Sequence, residues 1–329
     1  MDAESPQPVP APGSEQEPAI PVQSPRSPLD NIFHNDQGLR AGWRIVMYLV
    51  LVVLLGACLN FALRQILHLP TTESPAAWRI FFGESLSFVV VFLPACLMAW
   101  FEYRPVGDYG LPLHSFFGKR FLQGCALGLA EIAVLMGCIA AFHGYSFGSL
   151  NLHGPAIWKW ALFWLAFFVV VGLFEEFTFR GYLQFTLADG IGFWPAAWIL
   201  SLGFGAVHLF NPGEGLVGAA GVASIGLIFA LTLKRTGNLW FVVGWHAIFD
   251  FGETYLFSVP NSGNVFEGHL SDATLHGAKW LTGGSVGPEG SVFSFLGMAA
   301  AAYFIHKAFP ACESASAAPV AGTSPQPAA

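Results

Sequence analysis

The chain has 329 residues, of which 54% are hydrophobic, 15% aromatic and only 11% charged, against roughly a quarter charged in ordinary soluble domains. An apolar surplus of that size has to face lipid, so the sequence reads as an all-α, polytopic integral membrane protein whose main partner is the bilayer. Net charge is -7, with Asp2, Glu4, Glu15 and Glu17 near the start; no basic face exists, and nucleic acid is excluded as a partner.

Residues 1 to about 38 are rich in Pro, Ser, Gln and Glu with few large apolar residues, which predicts a disordered tail. This tail lacks the charged start, short apolar run and small-residue cleavage site of a signal peptide, so the first apolar run is expected to stay as a membrane helix. A transmembrane domain over 39–310 follows, with about eight spans of the roughly 20 residues that a bilayer requires. They fall near 43–66, 79–101, 121–143, 157–187, 193–209, 216–234, 238–257 and 291–309, and the fourth is long enough to bend or project. Residues 311–329 read as a second disordered tail.

Cys58, Cys96, Cys125 and Cys138 lie in apolar runs and Cys312 in the last segment, none with CxxC spacing, so small buried hydrophobes are expected rather than disulfides or thiolate ligands. With a cytoplasmic N-terminus, Arg26, Arg40, Arg44, Arg104, Lys119, Arg120, Arg180, Lys234, Arg235 and Lys307 gather inside, leaving Arg64, Arg79, Lys159 and Lys279 outside. That asymmetry predicts both termini in the cytoplasm and makes 258–290 the largest external loop. No internal repeat is present, which weakens a transporter reading.

Charged groups inside spans cost about 2.5 to 3.5 kcal/mol each on insertion scales, so each needs a partner or a task. They concentrate in three spans. The fourth holds Glu175, Glu176 and Arg180, the fifth Phe204 and His208, and the seventh His246 and Asp250. Glu176 and Arg180 stand four apart on one helix face and can pair. Glu175, turned about 100° from Glu176 by helix pitch, is left to face a polar cavity as a general base. His246 and Asp250 repeat the four-residue spacing, so the carboxylate can fix the imidazole tautomer or the two can share an ion or a polarised carbonyl. At about 1.5 Å per residue, His208 lies about 22 Å into its span, Glu175 about 18 Å from the end of its own, and His246 and Asp250 about 12 to 18 Å into theirs. All four fit one layer.

These residues resemble the CAAX-protease and bacteriocin-processing family, the intramembrane endopeptidases that include the type II CAAX prenyl endopeptidases. Its motifs EExxxR, FxxxH and HxxxN or HxxxD stand here as Glu175-Glu176-Phe177-Thr178-Phe179-Arg180, Phe204 to His208, and His246 to Asp250, over roughly 157–255. The resemblance implies a helical bundle with an intramembrane cavity open to the cytoplasm. In it Glu175 and His208 activate water, Glu176 and Arg180 support them, and His246 with the residue at 250 holds the oxyanion. The substrate implied is a membrane-associated, in some members prenylated, peptide or protein. By analogy with bacterial members the membrane is a bacterial inner membrane.

Asp250 departs from the Asn of prenyl endopeptidases. An ionised Asp cannot donate to an oxyanion, so it must be protonated, orient His246 or ligate a metal. Glu175, His208, His246 and Asp250 are a suitable zinc set, yet no HExxH occurs and a Glu and His pair activates water without an ion. Two other classes stay open at this point: a noncatalytic protein binding or conducting an ion or proton through the same groups, and an immunity-type scaffold acting by contact. Phe204 reads as packing, Asn211 as a helix end before Pro212, and His306 as a helix-end charge. Glu84 and Glu131 lie in spans without an assigned role, Glu253 stands one turn from Asp250 where it can extend the site, and His269 and His276 lie outside the proposed chemistry.

Overall fold

The computed structural model describes residues 30–36, 38–67 and 77–310. The tail expectations for 1–29 and 311–329 lie outside the described residues. Within the stretch expected to be a disordered tail, a short helix α1 (Asp30–Phe33) and a hairpin of β1 (His34–Asn35) and β2 (Gly38–Leu39) are formed. The reason is local. Phe33 packs on Trp43 with ring centroids 5.1 Å apart, and Arg40 Nε and Trp43 Nε1 donate to the carbonyls of Asn31 and Ile32.

Helices occupy each of the eight expected stretches: α2 (Ala41–Leu67), α3 (Ala77–Phe101), α4 (Lys119–Ala141), α5 (Pro155–Arg180) continued by α6 (Tyr182–Ile191), α7 (Phe193–His208), α8 (Leu216–Thr236), α9 (Leu239–Phe251), and, beyond a four-residue α10 (Lys279–Thr282), α11 (Val292–Ala308). Among the described residues five helical stretches are long and apolar enough to cross a membrane: 41–65, 77–101, 119–141, 155–191 and 216–236. Helices α7, α9 and α11 have 16, 13 and 17 residues. The outer faces carry Val53, Phe61, Trp100, Val134, Trp158 and Leu162, all exposed, as a lipid-facing bundle requires. Cys58 is also exposed, against the expectation of burial.

The fourth span breaks into α5 and α6 at Gly181, where a Cβ would overlap the Phe177 carbonyl. Helix α6 is tied down at this end of the bundle by polar contacts. Arg44 reaches Asp189 at 2.9 Å and Glu102 at 3.3 Å, while the Tyr109 and Tyr182 hydroxyls donate to Glu102 at 2.8 and 2.5 Å.

At the bundle centre α9 lies against α4 with backbones touching. A Cβ at Gly124 would overlap the Phe241 carbonyl, one at Gly128 that of Trp245, and one at Gly244 that of Phe121. Small residues let helices approach this closely where lipid offers no hydrophobic drive. Gly124→Val is therefore expected to force α4 and α9 apart at a cost of at least about 1–3 kcal/mol, read as a lowered thermal midpoint in detergent; an unchanged midpoint would refute the contact.

The segment 258–290 is an ordered cap rather than a loose loop. Strand β3 (Tyr145–Ser146) pairs antiparallel with β4 (Thr274–Leu275), Trp164 Nε1 donates to the Glu267 carbonyl at 3.2 Å, the Ala77 N–H donates to Glu267 Oε1 at 3.1 Å, and the Leu270 N–H donates to the Tyr255 carbonyl at 3.3 Å. These bonds hold the cap over the ends of α3, α4, α5 and α9.

Candidate active site

The expected site residues converge. Glu175, His208, His246 and Asp250 all line one cavity of about 360 Å³. Glu175 and Glu176 sit near the end of α5, His208 is the last residue of α7, and His246 and Asp250 lie one turn apart on α9. From the end of α5 Glu175 is only about 8 Å away at 1.5 Å per residue, nearer than the expected 18 Å because the helix stops at Arg180.

Glu176 and Arg180 make the expected pair, Nη1 to Oε2 at 3.3 Å, with side-chain exposures of 0% and 1%. The pair does more than neutralise itself. The other Glu176 oxygen, Oε1, accepts from His246 Nδ1 at 2.9 Å, so Glu176, not Asp250, makes the close bond that orients the imidazole. The remaining ring nitrogen, Nε2, stands 3.4 Å from Asp250 Oδ2 and 3.8 Å from Glu175 Oε2. Both nitrogens of His246 therefore face carboxylate oxygens and act as donors when protonated.

His208 is set differently. Its Nδ1 lies 2.8 Å from the Phe204 carbonyl; a carbonyl only accepts, so Nδ1 carries the proton and the Nε2 lone pair is free to accept from water. Phe204 is more than filler. Its ring packs edge-on against His208, centroids 4.6 Å apart, and its face lies 4.4 Å from the Arg180 guanidinium carbon. One side chain thus joins the buried ion pair to the second histidine. Glu175 is within electrostatic reach of His208, His246 and Asp250.

The cavity also takes in groups that the sequence left without a role. Glu84 faces Glu175 across it, and Glu131 accepts from Trp245 Nε1 at 2.6 Å. The cap contributes Asn261, Ser262, Asn264, Phe266 and Glu289, whereas neither His269 nor His276 lines the cavity. Burial pushes the Glu289 carboxyl up to about 7. Its Oε1 accepts the Ser262 N–H at 2.7 Å, and fully buried Glu253 stands against it. No sequence signal marks these cap residues, because they reach the site only through the folding back of 258–290. Among the described residues no Lys or Arg lines the cavity.

The carboxylates converge on His246 rather than on a shared empty point. Among the described residues no group of three or more His, Cys, Asp or Glu side chains is arranged to hold a metal ion, so no step is derived through zinc.

Beside α4, α5 and α9, the wall is built by the first turns of α3 (Ile80, Glu84) and α11 (Ser294, Met298), by α8 from Gly218 to Phe229, by the end of α7 and by the cap. The cavity therefore runs from mid-bundle to the end that the cap covers. An opening to the cytoplasm and a cap outside the cell pull against each other in this geometry.

Residues 157–252 match the family model described as type II CAAX prenyl endopeptidase Rce1-like. The matched stretch contains all six expected site residues and bears out the resemblance drawn from the three motifs. The curated proteins and the solved structures give no match.

Proposed function

We infer from membership of the CAAX-protease family, carried by residues 157–252, that the chain is an intramembrane endopeptidase cleaving a membrane-associated peptide or protein. The observation that carries this reading is the meeting of Glu175, His208, His246 and Asp250 on one cavity wall, with the Glu176–Arg180 pair bonded to His246 behind it. A water between Glu175 and His208 Nε2 gives its proton to Glu175 as its oxygen attacks the scissile carbonyl carbon. The carbonyl π pair moves to oxygen. When the tetrahedral species collapses, the C–N bond breaks and the proton that Glu175 took passes to the leaving amine, directly or by way of His208 Nε2. His246, oriented by Glu176, faces the reacting carbonyl and stabilises developing negative charge.

Eight spans, a bacterial inner membrane and cytoplasmic termini complete the proposal. Sidedness is testable by labelling single cysteines placed at 258–290 in intact cells. Labelling from outside keeps both termini inside and turns the cavity's capped end outward; protection reverses both.

The experiment for the activity is cleavage of a panel of prenylated and unmodified membrane peptides by the purified protein in liposomes, with and without chelator. Cutting that survives chelator supports the Glu and His water site, and cutting lost to chelator and restored by zinc assigns a metal to the same residues. The row of Glu84, Glu131, Asp250 and Glu289 along the wall favours one second reading, binding or conduction of a proton or cation without cleavage. Ion flux through the protein with no peptide cut would establish it.

A further inference from the structure

Negative charge that develops on a carbonyl oxygen in this cavity forms among Glu175, Asp250 and Glu289. It needs an uncommitted N–H donor, and most donors on the wall are taken. Trp245 Nε1 is bonded to Glu131, His208 Nδ1 to the Phe204 carbonyl, and Asn264 Nδ2 spends one of its two hydrogens on the Ser262 carbonyl. His246 gives Nδ1 to Glu176 and meets Asp250 and Glu175 at Nε2, so the donor it turns to the carbonyl is shared with carboxylates and needs a second beside it. Asn261 is the exception. It is only 7% exposed, it lines the cavity, and its Nδ2 is buried without a hydrogen-bond partner. Leaving such a group unpaired is costly, and a ligand carbonyl would offset that cost.

Asn261 is also held still. Its N–H donates to the Asn264 carbonyl at 3.0 Å and its carbonyl accepts from the Asn264 N–H at 2.8 Å, closing a two-residue turn over Ser262 and Gly263. Both have positive φ, 46° and 77°, the signature of a type I′ turn. The Ser262 N–H is fastened to Glu289 at 2.7 Å, and the Gly263 N–H to the Val286 carbonyl at 2.7 Å. Gly263 lies so close to the Pro212 carbonyl that no Cβ fits. A donor on a turn with both backbone groups committed pays little reorganisation when charge appears.

We propose that Asn261 Nδ2 donates to the scissile carbonyl oxygen of the bound peptide and stabilises the oxyanion formed when water adds. This makes the cap part of the reaction centre. The inference rests on the endopeptidase reading above, and the test separates the two. Wild type, Asn261→Ala and the isosteric Asn261→Asp are reconstituted in liposomes, and kcat, KM and Tm are measured for each on a peptide that the wild type cuts. The expected result is a kcat lower by about 10²–10³ in both variants, the loss typical of one oxyanion donor, with KM and Tm close to wild type. Undiminished kcat in Asn261→Asp overturns the proposal while leaving the protease intact. A kcat loss matched by a fall in the Tm of Asn261→Asp assigns Asn261 to the turn alone and also overturns it. Failure of the wild type to cut any peptide brings down the endopeptidase reading first, and this inference with it.

Discussion

Glu175→Gln is expected to lower kcat for peptide cleavage by about 10²–10⁴-fold, the range that a positioned general base contributes, while the protein still folds. The side chain keeps its size and loses its capacity to take the water proton. Because Glu175 is partly exposed to the cavity, 24% at the side chain, and has no hydrogen bond to a buried donor to lose, its replacement leaves the Glu176–Arg180–His246 chain intact. His208→Ala is expected to act in the same direction, since it removes the one imidazole nitrogen left free to hold the water. Measurement is of cleavage in liposomes beside Tm in detergent. Cleavage retained in both variants would sink the water-activation mechanism.

Arg180→Ala has the larger structural effect. The guanidinium is packed against Phe204 and faces Glu176 with both side chains sealed from solvent, and removing one member of a buried pair costs about 3–5 kcal/mol because the other charge is stranded. The variant is expected to accumulate poorly, with a strongly lowered Tm. The double substitution Glu176→Gln with Arg180→Met removes both charges at similar volume. It is expected to recover much of the stability but not the activity, since the carboxylate that orients His246 is gone. A double variant as unstable as Arg180→Ala would show that the pair matters through shape and not charge, and an Arg180→Ala protein of wild-type Tm would refute its energetic role.

The two expectations differ in how far the sequence carries them. Glu175, His208, His246 and Asp250 were legible because three short motifs place ionisable groups in apolar spans, where a charge without a task is costly. The i to i+4 spacing of Glu176 and Arg180 showed their pairing directly. The bond from Glu176 to His246 crosses 70 residues and depends on how α5 is rotated against α9, which no periodicity within either helix encodes. The length of 157–187 allowed a bend, but length alone does not mark Gly181 as the place where α5 gives way to α6. Asn261 and Glu289 were out of reach for a further reason: their segment is polar and Gly-rich, the composition of an ordinary surface loop. Its return over the cavity is set by turn geometry and by bonds to α5.

The contact of α4 with α9 through Gly124, Gly128 and Gly244 also bears on which substrates fit. With no side chains between the two backbones there is no layer in which they can slide, so His246 and Asp250 behave as fixtures of one rigid body. His208 belongs to a separate antiparallel hairpin, α7 with α8, that shares no such seam with α9. Packed helices yield by small shifts at the interfaces that side chains fill. In the proposed endopeptidase, room for a bulkier lipid or peptide comes from the walls outside that seam, this hairpin together with α3, α11 and the cap, and sequence changes that retune substrate breadth belong there rather than on the helix that carries His246.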